Sequence, residues 1–151
     1  MLDISYLRDT QIPRTCDVII WPDCHEHVER IVALACKHNV VIIPCGGNTN
    51  VTHASLIPVE EKRMVVGLDM TRMTRIKWVD KINMTACIEA GIRGVDLIAK
   101  LKEYGCTSGH EPDSVEFSTA GGWVATRCSG MKKNLYGNTE DFVVNMKVVT
   151  P

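Results

Sequence analysis

The sequence predicts an α+β fold in two parts, and three patterns carry that prediction. A strand–helix–strand run occupies 17–43, with a third strand pattern at 64–69. Two β-rich runs flank a polar stretch at 80–83, which is the pattern of a hairpin. Between 107 and 138 glycines and hydroxyls are dense while strand and helix signals are weak. A stretch of that kind inside a compact domain usually has a functional reason.

Residues 17–21 form a short β-branched run that reads as a strand, and Pro22 ends it. Asp23 with Glu26 three residues on has the spacing of a capping box. Val28, Ile31, Val32 and Ala35 then fall at i, i+3, i+4 and i+7, one face of a helix. Asn39 closes that helix, and Lys37 and His38 suit the negative end of its dipole. Residues 40–43 are a second, fully apolar strand. A strand–helix–strand unit of this length implies a parallel pair with a right-handed crossover. Residues 64–69 give a third strand, and 75–79 with 84–89 give the hairpin. Val95, Ile98, Ala99 and Leu101 mark a second helix, ended by Gly105. Residues 142–149 are expected to form a final strand. No internal repeat or linker is visible. The chain therefore divides into a βαββ part at about 16–70 and a mainly antiparallel part at about 71–151.

Composition narrows the function. The 151 residues give room for one domain with a proper core. A hydrophobic share of 45% and a charged share of 23% exclude a disordered or low-complexity chain. Seventeen basic against eighteen acidic residues leave no basic excess for a nucleic-acid backbone. Aromatics at 5% offer little for base stacking, so no nucleic-acid partner is expected. No apolar run approaches the ~18 residues of a membrane helix, so no transmembrane segment is expected. Acids within residues 1–9 argue against a secretory signal. The cysteines are Cys16, Cys24, Cys36, Cys45, Cys87, Cys106 and Cys128, an odd number with no C-x-x-C pair. Reduced, mostly buried thiols in an intracellular compartment are expected, with no metal site.

Two loops carry the chemistry. Pro44-Cys45-Gly46-Gly47-Asn48-Thr49-Asn50 follows the second strand directly. Glycines let backbone N–H groups converge on a ligand, and such a loop edged by Thr49 and the Asn50 amide suits a pyrophosphate. A simple tight turn remains the competing reading. The spacing is neither G-x-G-x-x-G nor a P-loop. The second loop, 109–119, brings His110, Glu111, Asp113, Ser114, Glu116, Ser118 and Thr119 into eleven residues. Small residues at 120–130 then permit close approach of backbone to a flat ligand, and Arg127 is suited to a phosphate.

"PCGGNTNV", "GHEPDSVEFSTAGGWVATRCSGMKKNLYGN" and "EDFVV" resemble the alkyldihydroxyacetonephosphate (alkylglycerone-phosphate) synthase family. That family belongs to the vanillyl-alcohol-oxidase type of FAD-binding proteins. The similarity runs from about Arg14 to Pro151, and the segment 109–138 is its most specific part.

The resemblance implies an FAD-binding domain of two α+β subdomains, the second incomplete here, with FAD held between them. Position by position, Pro44, Cys45, Gly46, Gly47, Asn48, Thr49 and Asn50 become the FAD-pyrophosphate loop. Asp113, Ser114, Val115, Glu116, Phe117, Ser118 and Thr119 become the second cofactor segment. Thr126, Arg127, Cys128 and Ser129 become the third. The family's usual loop reads Gly-Gly-Gly-Thr-Ser, whereas Asn48 and Asn50 stand here at the third glycine and the serine. Asn tolerates the left-handed backbone, so the turn is expected to survive. His110 matches a histidine close to the reaction centre, with proton transfer or phosphate contact as its roles; an imidazole that only bonds its own loop is the competing structural reading.

The implied reaction joins acyl-dihydroxyacetone phosphate and a fatty alcohol, giving alkyl-dihydroxyacetone phosphate and a fatty acid. The resemblance further implies a peroxisomal setting and allows a homodimer for the full-length enzyme. It also implies a longer synthase. A later glycine-rich segment and a C-terminal substrate domain are not in this sequence, so the chain alone is expected to be inactive.

The remaining residues have plainer readings. Trp21, Trp78 and Trp123 are expected in packing. His25 and His27 are two apart and do not share a helix face, so they make a poor metal pair. His53 is expected at the surface, and Lys132 and Lys133 as solvated charges. Three alternatives stay open: an FAD-dependent hydroxy-acid oxidase or dehydrogenase, a non-catalytic FAD-binding truncation, and an NAD-binding Rossmann domain. For the last, Asp69 lies near the ribose-binding spacing of ~20 residues after the glycines, but the glycine pattern is wrong.

Overall fold

A computed structural model describes residues 14–151, so the reading of residues 1–9 lies outside the described residues. In chain order the elements are β1 (Val18–Ile20), α1 (His25–His38), β2 (Val41–Cys45), β3 (Val65–Asp69), β4 (Ile76–Asp80), β5 (Thr85–Ile88), α2 (Gly94–Glu103), α3 (Ala120–Thr126), α4 (Lys133–Tyr136) and α5 (Thr139–Phe142). A 3-10 turn, Met70–Arg72, follows β3. Among the described residues, no helix is long and apolar enough to cross a membrane.

The first sheet is parallel, with order β1-β3-β2. The expected direct pairing of β1 with β2 is therefore not made, because β3 lies between them. Burial explains the order. Val65, Val66 and Leu68 of β3 are buried, as a central strand covered on both faces must be. β1 is only three residues long and leaves Val18 and Ile19 partly in solvent, which suits an edge. β3 sets the register: Val66 pairs with Val18 on one side and Ile42 on the other.

α1 covers this sheet with Val28 facing Leu68 and Met73, and Ile31 and Val32 packed at the margin. Asn39 ends it as expected, at φ 53°, with its amide turned back to the last carbonyls. The expected capping box is not formed. Cys24 is the N-cap, and the Asp23 amide donates instead to Nδ1 of His27 at 3.3 Å.

β4 and β5 form the expected antiparallel hairpin, one residue or so displaced at their ends. The Asp80 carboxylate closes its turn by accepting from the amides of Ile82 and Asn83. α2 carries Leu97 and Leu101 into a second core with Ile92, Ala120 and Trp123. Two expectations fail after this point. Residues 71–151 hold one hairpin and four helices rather than a mainly antiparallel sheet. The final strand expected at 142–149 is not formed: Phe142 ends α5 and 143–151 carry no regular structure. An extended run forms a ladder only when a second strand supplies partners, and none lies beside it among the described residues. Val149 instead reaches back to the first core, and Lys147 sits 3.7 Å from Glu29.

The tryptophans divide. Trp123 is core, but Trp78 is 54% exposed and Trp21 lies half in solvent beneath the Arg72 guanidinium. The thiols are less buried than expected. All seven are free, six are half-buried and Cys36 is exposed.

Candidate functional site

The glycine loop begins where β2 ends. Pro44 and Cys45 are still in the ladder, paired with Leu68 and Asp69. Burial, with Asp69 second, raises the pKa of the Cys45 thiol, which therefore stays protonated. Gly46 and Gly47 then press against the second loop. A Cβ on Gly46 would overlap Oγ1 of Thr119, and one on Gly47 would overlap the carbonyl of Phe117. Two of the three predicted cofactor segments, seventy residues apart in sequence, are thus in direct contact.

The asparagines at the unusual positions hold the loop's shape. Asn48 adopts φ 54°, as expected for a residue in a glycine's place, and its side-chain oxygen accepts from Ser55 Oγ at 2.6 Å. Asn50 accepts from the Ala54 amide at 2.9 Å, closing the following turn. Among the described residues, the amides of Gly47, Asn48, Thr49 and Asn50 donate to no other group. Toward the described residues the loop thus leaves consecutive N–H groups unspent, while the space beside its two glycines is filled by the second loop. These features fit the pyrophosphate of a dinucleotide cofactor.

The second segment is a tight turn. Ser114 adopts φ 59°, and its carbonyl accepts from the amides of both Phe117 and Ser118. Gly94 and Val95, at the start of α2, donate to the carbonyls of Ser118 and Val115, which fixes the turn to the second core. Ser118 and Thr119 are buried and engaged. Ser118 Oγ accepts from Nε1 of Trp123 at 2.8 Å, and Thr119 is the N-cap of α3 with its hydroxyl toward the Gly122 amide. Phe117 is 64% exposed.

The third segment follows α3. Thr126 donates to the Gly122 carbonyl, so its hydroxyl serves the helix. Arg127 ends the helix at φ 48°, and its exposed guanidinium pairs with Glu140 at 2.9 Å. Ser129 and Asp113 share a hollow of about 320 Å³ with Gly130, Met131, Lys133 and Asn134. That hollow brings the second and third segments together. Lys132 is not a free solvated charge, since it pairs with Glu111 at 2.5 Å. His53 lies at the surface, as expected.

His110 is placed differently from the loop surface around it. Its residue is 2% exposed, with its ring packed edge-on to Trp123 and tilted against Phe142. Nε2 lies 3.3 Å from both Cys128 Sγ and Thr139 Oγ1. Burial lowers its pKa, so the ring is neutral at pH 7. Burial likewise raises that of Cys128, outweighing its bond with Thr139, so the two do not form an ion pair. Thr139 escaped the sequence reading, which assigned no element between 138 and 142. The available signal was the Asn138–Asp141 spacing, a helix start: the Asn138 amide donates to the Asp141 carboxylate at 2.7 Å.

A parallel sheet that ends in a bare-amide glycine loop, backed by a second hydroxyl-rich turn, defines a nucleotide-cofactor-binding domain. Residues 16–151 match the FAD binding domain family, and the chain belongs to it. It shares 49% identity over 149 residues with the alkyldihydroxyacetonephosphate synthase of Caenorhabditis elegans, covering 99% of this chain and 25% of that protein. The mitochondrial D-lactate dehydrogenase (cytochrome) of Arabidopsis thaliana is more distant, at 33% over 97% of this chain and 24% of that protein. A solved alkyldihydroxyacetonephosphate synthase superposes with a TM-score of 0.84 at 50% identity, over 88% of this chain and 24% of its own. The chain spans about a quarter of the length of the curated relatives it matches.

Proposed function

We propose that this domain holds FAD in an ether-lipid synthase. That enzyme would exchange the acyl group of acyl-dihydroxyacetone phosphate for a fatty alcohol, giving alkyl-dihydroxyacetone phosphate and releasing the fatty acid. The contact of Gly46 and Gly47 with Phe117 and Thr119 carries the cofactor part of this reading. The similarity to the worm synthase supports the reaction over hydroxy-acid oxidation, because the dehydrogenase relative is less alike over the same span.

In this reading 16–70 and 71–151 contribute to two subdomains about the cofactor. The amides of 47–50 bind the pyrophosphate. Residues 113–119 form the facing wall, with Phe117 turned toward ligand or solvent. Residues 126–129 close the third side beside the Asp113–Ser129 hollow. His110 acts from behind this wall, near the reacting centre. When bound, FAD supplies the reactive ring, and these residues orient it and exclude water. Peroxisomal location and homodimerisation of the full-length enzyme belong to the same proposal.

The test is an assay of the full-length enzyme with acyl-dihydroxyacetone phosphate and a fatty alcohol, set beside one with D-lactate. Ether-lipid product without lactate oxidation is expected. Lactate oxidation without ether product would replace the synthase reading with the oxidase one.

A further inference from the structure

Thr139 Oγ1 has three polar neighbours. The Cys128 carbonyl lies at 2.8 Å, His110 Nε2 at 3.3 Å and Cys128 Sγ at 3.4 Å. A hydroxyl has one proton to give and lone pairs to receive with. A carbonyl only accepts, and it is the shortest of the three contacts, so the threonine proton lies on that side. Toward the imidazole the oxygen is then left as an acceptor, and Nε2 must bring the hydrogen. Cys128 Sγ, at 3.3 Å from the same nitrogen, is a weak donor and a weak acceptor and so is the lesser partner.

We infer that Thr139 holds His110 in its Nε2–H tautomer, which leaves Nδ1 as the ring nitrogen without a hydrogen. Thr139 is thereby a positioning residue. The inference rests on the reading of His110 as an imidazole near the reacting centre. It also decides between the two roles open to that residue. A neutral ring with a bare Nδ1 receives a proton or a hydrogen bond, whereas it has no N–H at that atom to give to a phosphate oxygen. Burial, which keeps the ring neutral, works in the same direction. His110 is a proton acceptor rather than a phosphate ligand.

The imidazole nitrogen shifts of the histidine-labelled chain, read by NMR at neutral pH, test this directly, with His110→Gln assigning the signals. A protonated Nε2 and an unprotonated Nδ1 are expected. The reverse pattern would mean that the Cys128 thiol donates to the ring, and would overturn the inference. Thr139→Val keeps the bulk and removes the oxygen, and is expected to average the two nitrogen signals, while Thr139→Ser keeps the wild-type pattern. An unchanged pattern in Thr139→Val also overturns it. Cys128→Ala retains the Thr139 oxygen and is the second variant should Thr139→Val fail to fold. It is expected to leave the tautomer alone, and a change there would transfer control to the thiol.

The synthase assay separates the two layers. Thr139→Val is expected to lower kcat by roughly 10- to 100-fold with little change in KM, and Thr139→Ser to restore it. An altered tautomer with wild-type kcat would leave the Thr139–His110 geometry standing and remove His110 from the chemistry.

Discussion

Thr119 Oγ1 occupies the space that a Cβ on Gly46 would need, while at Gly47 the same space is filled by the Phe117 carbonyl. The two glycines therefore differ in what they tolerate. A threonine hydroxyl is the end of a side chain and can turn away, although here that means giving up its cap on the Gly122 amide. A carbonyl held in a tight turn cannot. Gly46→Ala should cost about 1–2 kcal/mol and Gly47→Ala about 3 kcal/mol or more, with FAD affinity lost in the same order. Thermal melts of the two variants, with and without Thr119→Ser, check this. Equal effects at the two positions would contradict the geometry.

Asn48 combines a left-handed backbone with a hydrogen bond from Ser55. Asn48→Ala removes the bond and leaves a Cβ residue at positive φ, and should destabilise by about 1–2 kcal/mol. Asn48→Gly loses the same bond but relieves the backbone, so its melting temperature should lie between alanine and wild type. A glycine variant less stable than the alanine one would show that backbone strain is not the term that matters there.

Glu89 gives the stability a defined dependence on acid. Its side chain is 2% exposed and meets the Arg75 guanidinium at 2.8 Å and the Arg75 amide at 2.9 Å. Burial pushes its pKa up, but the side-chain and backbone bonds from Arg75 outweigh that and hold it below the ordinary 4.5. The folded value is thus below the unfolded one. The contribution is complete above about 4.5 and is lost as pH falls through the folded value. Arg75 also donates to the Asp23 carbonyl at 2.6 Å, so this pair ties the hairpin to the turn before α1. Glu89→Gln should cost about 1–3 kcal/mol at pH 7 and flatten the acid limb of a stability–pH curve. A limb of unchanged steepness would assign acid sensitivity to other carboxylates.

Trp123 links the second core to the cofactor wall through its Nε1 donor to buried Ser118 Oγ. Trp123→Phe keeps an aromatic ring and removes the donor, and should cost about 1–3 kcal/mol from the unpaired hydroxyl and lost volume. Ser118→Ala in the same background should then cost little more. Additive losses would show that the pair is not coupled.

Much of the fold was legible because burial wrote it locally. The Val28–Ile31–Val32–Ala35 stripe marks α1, and the apolar run at 64–69 marks β3. Strand order was not legible, because β1 and β2 are separated only by the competition for the most buried place, which β3 wins through tertiary packing. α3 was hidden by Gly121 and Gly122 in its first turn. Gly121 is small because Ala90 packs beneath it, a reason invisible along the chain. Residues 142–149 alternate as a strand does, yet alternation supplies no hydrogen-bond partner. At the site, the loops themselves were legible from glycines and hydroxyls. Their contact was not, nor was the burial of His110 by Trp123 of α3 and by Thr139 and Phe142 of α5, two helices that follow it in the chain.

We propose that the 44–50 loop and the 113–119 turn together hold FAD. Titration of the 151-residue chain with FAD, and with NAD as a control, tests it most directly, with tryptophan fluorescence as the readout and circular dichroism to establish folding. Saturable FAD binding without an NAD response, weakened by Gly47→Ala, is the expected result. A folded chain that binds NAD and ignores FAD would contradict it.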